Sequence, residues 1–212
     1  MNQPVAAEVL VERFGDSAVG LQSYAKFLAD QGTVRGLIGP REVDRLWERH
    51  ILNCAVLALP EHDLLPHNST VIDVGSGAGL PGLVWAIVRP DLTVTLVESM
   101  KRRTEFLEEA VEILDLGERV SVVRARAEEV NGSLQADVTT ARAVAALPKL
   151  LGWLSPLTSV NGQIIAMKGE SAAKELTEAQ PEITKLGLKS GRVIEVTDPL
   201  LDQPTYVTVL AK

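Results

Sequence analysis

The sequence predicts an α/β fold with a mostly parallel sheet, a helical N-terminal cap and an antiparallel ending. Three observations lead there. From residue 69 onward, short runs rich in valine and isoleucine alternate with helical patterns, the order of elements that buries a parallel sheet between two helical layers. Residues 1–60 lack such runs and read as helical. The last two apolar runs, "LKSGRVIEV" and "TYVTVLAK", are joined only by "TDPLLDQP". That link is too short for a crossover helix, so these strands should pair antiparallel.

In the cap, "SAVGLQSYAKFLADQG" opens at Ser17, stops at Gly32 and places Val19, Tyr24, Phe27 and Leu28 mostly on one face. A glycine-punctuated linker follows from Gly32 to Gly39. A second helix is expected from Pro40 to Pro60, with Val43, Leu46, Trp47, Ile51 and Cys54 as its apolar stripe. The core should then read "TVIDV", a helix from Pro81, "TVTLVE", a helix through "KRRTEFLEEAVEILDLG", "RVSVVRA", "DVTTARA", a helix near 147–154 and "QIIAMK". Residues 1–65 are expected to form the cap and 66–212 the core, together one compact unit. A chain of 212 residues buries about 70% of its unfolded surface.

Composition narrows the function. The formal charge of −7 argues against non-specific polyanion binding over the whole surface, so a nucleic acid would have to meet a local basic patch. Cys54 is the only cysteine, which agrees with a reducing compartment. Glu8, Glu12 and Arg13 interrupt the segment where a signal peptide would be apolar. No apolar run approaches the roughly 18 residues of a membrane span, so a cytoplasmic location without membrane contact is expected.

"VIDVGSGAGLPG" at 71–82 packs four glycines behind an apolar run. A strand that ends in a glycine turn and passes into a helix is built to hold a ligand against the backbone. Gly77-x-Gly79-x-x-Gly82 spells a dinucleotide fingerprint, whereas Asp73-x-Gly75-x-Gly77-x-Gly79 suits S-adenosylmethionine. Glu98, 23 residues after Gly75, can accept from both hydroxyls of either ligand's ribose. Two features decide. Asp73 would repel a pyrophosphate but suit a ligand with a sulfonium and an ammonium, and an antiparallel ending is unusual in a doubly wound dehydrogenase. Ala127 and Glu128, after the third strand, are placed to meet the adenine edge.

These residues bring a family into view. "ERHILNC" at 48–54, "VIDVGSGAGLPGL" at 71–83, "VESMKRRTEFL" at 97–107, "ARAEEV" at 125–130, "TARAVA" at 140–145 and "AMKG" at 166–169 occur in order. Together they resemble the 16S ribosomal RNA guanine-N7 methyltransferase family, also called glucose-inhibited division protein B, from about residue 20 to the C-terminus. The resemblance implies a Rossmann-like class I methyltransferase with a seven-stranded sheet, S-adenosylmethionine as donor, and a guanine of 16S rRNA in the small ribosomal subunit as acceptor. Its cofactor contacts fall here on Gly75 and Leu80 in the turn, Ala127 and Glu128 after the third strand, and Arg142 after the fourth, and they join Gly77 of the same turn and Glu98 as the expected cofactor-binding residues.

Guanine N7 carries a lone pair and no proton near neutral pH, so its methylation needs alignment rather than a general base. The sequence agrees, with no Ser/His/Asp set, paired acids or metal-ligand spacing. Cys54 lies on the cap's apolar stripe rather than where a pyrimidine-attacking thiol would sit. Thr140-Ala141-Arg142-Ala143 stands where an exocyclic-amine methyltransferase would show Asn/Asp-Pro-Pro-aromatic. Lys168 leaves open ribose 2′-O chemistry, and it is also placed to meet an RNA phosphate. Arg49, His50, Arg142 and Lys168 are the candidates for positioning substrate. Arg41, Arg45 and Arg49 recur at four-residue steps, one face of a helix, and with Lys101, Arg102 and Arg103 should touch phosphates at the cofactor mouth. Methylation of a small molecule or protein, or cofactor binding without transfer, are the alternatives.

Overall fold

The computed structural model describes residues 5–142 and 144–212; Ala143 of the "TARAVA" motif lies outside them. The cap opens with α1 (Ala7–Phe14) and α2 (Ser17–Phe27), the latter running on through a π-helical turn at Leu28–Gly32. The second cap helix is not one regular helix. It is a 3₁₀ stretch at Pro40–Arg45, a π-helical turn at Trp47–Ile51, the short α3 (Leu52–Ala55) and a 3₁₀ turn at Val56–Ala58. The four-residue step of Arg41, Arg45 and Arg49 therefore does not define one face, because turns of about 3 residues and then of π type break the 3.6-residue phase.

The core follows as β1 (Thr70–Val74), α4 (Gly82–Val88), β2 (Thr93–Glu98), α5 (Lys101–Ile113), β3 (Val120–Arg124), β4 (Ala136–Arg142), α6 (Leu147–Leu154) and β5 (Thr158–Lys168). It ends with α7 (Ala172–Glu178), α8 (Gln180–Lys185), β6 (Arg192–Val196) and β7 (Thr205–Ala211). The seven strands run in the order β3-β2-β1-β4-β5-β7-β6. β1 to β5 are parallel, and β7 lies antiparallel to both β5 and β6, as the short final loop requires. Sequence reading assigned no element to 169–187, where α7 and α8 lie. Their buried residues Ala172, Ala179 and Ile183 are too few and too widely spaced to stand out as a stripe.

Burial follows position in the sheet. In central β1, Val71, Ile72, Asp73 and Val74 are all buried, whereas edge strand β3 buries only Val120. Helices cover both faces, as a parallel sheet requires. α5 buries Thr104, Phe106, Leu107, Ala110 and Val111, a helical spacing that presents one face to the sheet. One continuous apolar cluster joins the cap residues Leu21, Tyr24, Leu28, Ile51 and Leu57 to Trp85, Leu96 and Phe106. Two polar contacts tie the cap to the glycine loop region: Tyr24 Oη donates to the Ala78 carbonyl (2.7 Å), and Trp85 Nε1 donates to the Cys54 carbonyl (3.0 Å).

The strand order reverses direction at β1, whose neighbours are β2 and β4. That switch opens a crevice at the carboxyl ends of the strands, where open α/β sheets bind ligands.

Candidate active site

The loop after β1 is shaped by its backbone. Gly75 has φ +70, a left-handed conformation that side chains with a Cβ adopt only at a cost. Its N–H donates to the Val97 carbonyl at 2.8 Å, which seats the turn on the end of β2. A Cβ on Gly75 would stand 3.1 Å from Val144 Cγ2, so the position leaves open a space that any side chain would fill. At Gly82, the first residue of α4, a Cβ would meet Asp73 Cβ and Leu96 Cδ2, each at 2.7 Å. Glycine there lets the helix start against the strands.

Asp73 does not face the ligand space, which corrects its sequence-based role. The side chain is fully buried under the loop and accepts the Gly82 N–H through Oδ2 at 3.0 Å. Oδ1 has no hydrogen-bond partner among the described residues. Burial pushes this carboxyl up to about 7, against the lowering effects of the Gly82 N–H and the nearby Arg142. Asp73 thus anchors the start of α4. The choice of donor rests instead on the sheet's ending and on the site around Glu98.

The pH consequence has a definite sign. Between the unfolded value near 3.8 and the folded value of about 7, the native state holds more protons at this residue than the unfolded state. Stability from Asp73 therefore falls as pH rises through that window and is level above it. The melting temperature of Asp73→Asn, relative to wild type, is expected to improve steadily from pH 4 to about 7 and then plateau. Thermal melts in a buffer series check this, and a difference independent of pH would reject it.

Glu98 closes β2 with a nearly buried carboxylate. Oε2 accepts the Gly77 N–H at 3.1 Å and Oε1 the Met100 N–H at 2.9 Å, while Arg103 Nη1 stands 3.5 Å away. A carboxylate has about four acceptor sites, and its two backbone hydrogen bonds do not use them all. Glu98 lines a pocket of about 560 Å³ together with Gly75, Gly77, Leu80 and Arg142. Through Gly75, Ser99 and Val144 this pocket adjoins a slot of about 340 Å³ that contains Ala127, Glu128 and Trp153. Ala127 is buried in the 3₁₀ turn after β3, and Glu128 Oε1 accepts from Trp153 Nε1 at 2.6 Å. These residues fit S-adenosylmethionine: a buried acid, a glycine turn and an adjoining slot lined by Arg126, Ala127 and Glu128 lie side by side.

On its other side the same pocket meets a cleft of about 860 Å³, and Glu42, His50 and Arg142 line both. Arg142 comes from the end of β4, and His50 and Glu42 from the irregular cap helix. Arg142 Nη2 donates to His50 Nδ1 at 2.7 Å, and His50 Nε2 lies 2.9 Å from Glu42 Oε2. Burial, followed by the Arg142 charge, lowers the imidazole below its ordinary value.

The other sequence candidates are largely committed within the protein. Lys168 reaches the cleft edge, but its Nζ donates to the Ala145 carbonyl at 2.7 Å and pairs with Glu175 at 2.8 Å. Its side chain is 7% exposed, so its role is to tie β5 to α7 and the loop after β4 rather than to bind a phosphate. Arg45 pairs with Glu48 (2.6 Å) and Arg49 with Glu42 (3.2 Å), which makes this part of the cap largely self-neutralised. Lys101 pairs with Glu105 at 3.4 Å. Arg41 and Arg102 are exposed and make no ion pair among the described residues.

Sequence reading missed several residues of the large cleft, including Asn53, Asp202, Thr205 and Tyr206. The hydrogen bond from Thr205 Oγ1 to Asn53 Oδ1 at 2.5 Å joins the start of β7 to the cap. The expected antiparallel ending was the only available signal, since it returns the chain to the carboxyl end of β5.

A glycine turn after β1, a buried acid at the end of β2 and a sheet ending in an antiparallel insertion define an S-adenosylmethionine-dependent methyltransferase of class I. The fold is shared with a SAM-dependent O-methyltransferase from Thermotoga maritima (TM-score 0.59, 15% identity, 81% of this chain and 69% of that chain). It is shared too with TYW2 from M. jannaschii in complex with AdoMet (TM-score 0.58, 19% identity, 76% and 74%). Residues 18–203 match the family described as rRNA small subunit methyltransferase G, or GidB, and the chain belongs to that family. It is 52% identical over 203 residues to the ribosomal RNA small subunit methyltransferase G of Thermobifida fusca, covering 96% of this chain and 84% of the relative.

Among the described residues, no helix is long and apolar enough to cross a membrane.

Proposed function

We propose that this chain transfers the methyl group of S-adenosylmethionine to N7 of one guanine in 16S rRNA, within the small ribosomal subunit. The observation that carries the reading is the contiguity of the two cavities. The pocket under Glu98 and the 860 Å³ cleft share Glu42, His50 and Arg142 as lining, so a base in the cleft would lie next to the donor.

When bound, S-adenosylmethionine supplies an electrophilic methyl group on a sulfonium. The chain's own residues have three tasks. Glu98 holds the ribose, the loop at Gly75 and Gly77 brings backbone close to the ligand, and Ala127 with Glu128 receives the adenine. Arg142 and its cap partners shape the passage toward the acceptor. No side chain has to remove a proton, because guanine N7 is already an unprotonated nucleophile; rate comes from alignment and from the fixed charges around the passage. The large cleft balances Arg45, Arg49, Arg142 and Lys168 against Glu42, Glu48, Glu170 and Asp202. Phosphate attraction therefore falls to cations outside it, foremost Arg41 and Arg102. Few aromatics, 4% of the chain, suit recognition of a folded particle by shape rather than by serial stacking. The reading places the reaction in the cytoplasm, where ribosomal subunits are assembled.

The test incubates the protein with small subunits that lack the modification and with labelled donor, then cleaves the RNA by borohydride and aniline treatment. Scission at a single guanine is expected. Label recovered in protein, or on RNA that resists scission, would overturn the N7 assignment.

A further inference from the structure

We propose that His50, held as its Nε2–H tautomer between Glu42 and Arg142, is the positioning residue that sets the Arg142 guanidinium where the donor pocket meets the acceptor cleft. The proposal deepens the methyl-transfer reading and rests on it for the consequence in turnover.

The tautomer follows from the donors. A guanidinium has N–H groups and no acceptor, so the 2.7 Å contact from Arg142 Nη2 to His50 Nδ1 requires a lone pair on Nδ1. The ring's proton then sits on Nε2 and is donated to Glu42 Oε2 at 2.9 Å. The result is a directed chain, Arg142 to His50 to Glu42, with its first member on the core and the other two on the cap. Arg142 makes two further contacts to the cap, to the Arg49 carbonyl (3.4 Å) and to Cys54 Sγ (3.9 Å). All of its partners named here thus belong to one cap segment, and two of them, Arg49 and His50, lie in the π-helical turn Trp47–Ile51. Such turns recur at functional sites because they re-aim side chains that a regular helix would point elsewhere. The imidazole is mostly buried, with a side chain 17% exposed, so water competes little for either nitrogen.

A protonated ring would present N–H against N–H at Arg142 and break the chain. The charged groups around it are Glu42 and Arg49 from the cap and Arg142 from β4, with Arg45, Glu48, Lys168, Glu170 and Asp202 along the cleft. Tyr206 faces the same cleft. The Cys54 thiol behind Arg142 is raised by burial to about 11 and stays neutral throughout the relevant range. Asp73, also near Arg142 and raised to about 7, is a second group that titrates there. A substitution at His50 leaves Asp73 in place and so separates the two.

The test has two arms. In the first, ¹⁵N–¹H correlation spectra of the donor-free protein at pH 8 report the ring nitrogens, with His50 assigned by its absence in His50→Asn. A bare Nδ1 and a protonated Nε2 are expected; Arg142→Ala should move the Nδ1 resonance, while the Glu42 carboxylate keeps the proton on Nε2. A protonated Nδ1, or spectra unchanged by Arg142→Ala, would overturn the chain of contacts whether or not the RNA reading holds. In the second arm, methyl transfer to small subunits is followed against pH, with S-adenosylhomocysteine affinity measured in parallel. Asparagine offers an acceptor oxygen near the Nδ1 position and does not titrate. His50→Asn should therefore keep kcat within about tenfold of wild type and lose the acid limb of the profile. His50→Leu should lower kcat on the order of 100-fold, the scale of a small misalignment, with S-adenosylhomocysteine affinity changed less than about threefold. A His50→Asn pH profile superimposable on that of wild type, or a His50→Leu variant as fast as wild type, would overturn the positioning role. Wild-type protein that binds S-adenosylhomocysteine but methylates no RNA would instead reject the acceptor reading, and the spectra would still decide the relay.

Discussion

Trp85→Ala is expected to destabilise the protein by about 3–5 kcal/mol, the range for removing a large buried aromatic. The indole is fully buried in α4, within the cluster that joins cap to core. Its Nε1–H is also the donor to the Cys54 carbonyl. The substitution leaves that buried carbonyl without its partner, a further cost of about 1–3 kcal/mol. Against a total of about 5–15 kcal/mol for a native domain, this is a large share. At roughly 2–4 °C per kcal/mol for a chain of this size, the melting temperature should fall by about 8–30 °C. Calorimetry would show it as one transition if cap and core unfold together, because the lost contact lies between them. A shift under about 3 °C would mean that the cap carries no such load.

Gly75→Val should leave a folded protein that no longer binds donor. The cost to folding is that of a β-branched residue at φ +70, about 1–3 kcal/mol, which the native state survives with a melting temperature several degrees lower. The effect on binding is larger because of what the new side chain meets. Its Cβ points at Val144 from 3.1 Å, and Gly75 and Val144 form the junction between the pocket under Glu98 and the slot at Ala127. A ligand spanning both must pass through the space that the valine fills. Titration with S-adenosylhomocysteine is expected to show affinity reduced by more than about 100-fold, or about 3 kcal/mol. Affinity within about threefold of wild type would place the donor elsewhere.

Much of this protein is legible in its residues because the signals are local. Alternating apolar runs and helical stripes mark the strands and helices, and the loop too short for a crossover marks the antiparallel end. Gly75, Gly77, Leu80, Glu98 and Ala127, proposed for the donor, gather around two adjoining cavities, and they stood out because a glycine turn depends on backbone freedom and on short, regular spacings. Asp73 was misplaced for an equally local reason. Alternation along a strand says which residues flank a turn but not how deeply the cap buries them, and burial made this carboxyl an anchor for α4 instead of a partner for the ligand.

What the sequence by itself determined is the succession of strands and helices, the antiparallel final pair and the glycine turn after β1, since these follow from patterns among residues close in the chain. Tertiary structure alone decided the acceptor side. His50 and Arg142 are 92 positions apart, Asn53 and Thr205 are 152 apart, and no periodicity records that such residues will meet. The switch from 3₁₀ to π turns in the cap, which aims His50 at Arg142 and dissolves the arginine face at 41, 45 and 49, arises because the cap must fit the core beneath it. Packing over the whole molecule sets that helical phase, and so determines which charges reach the cleft and which are spent on their neighbours.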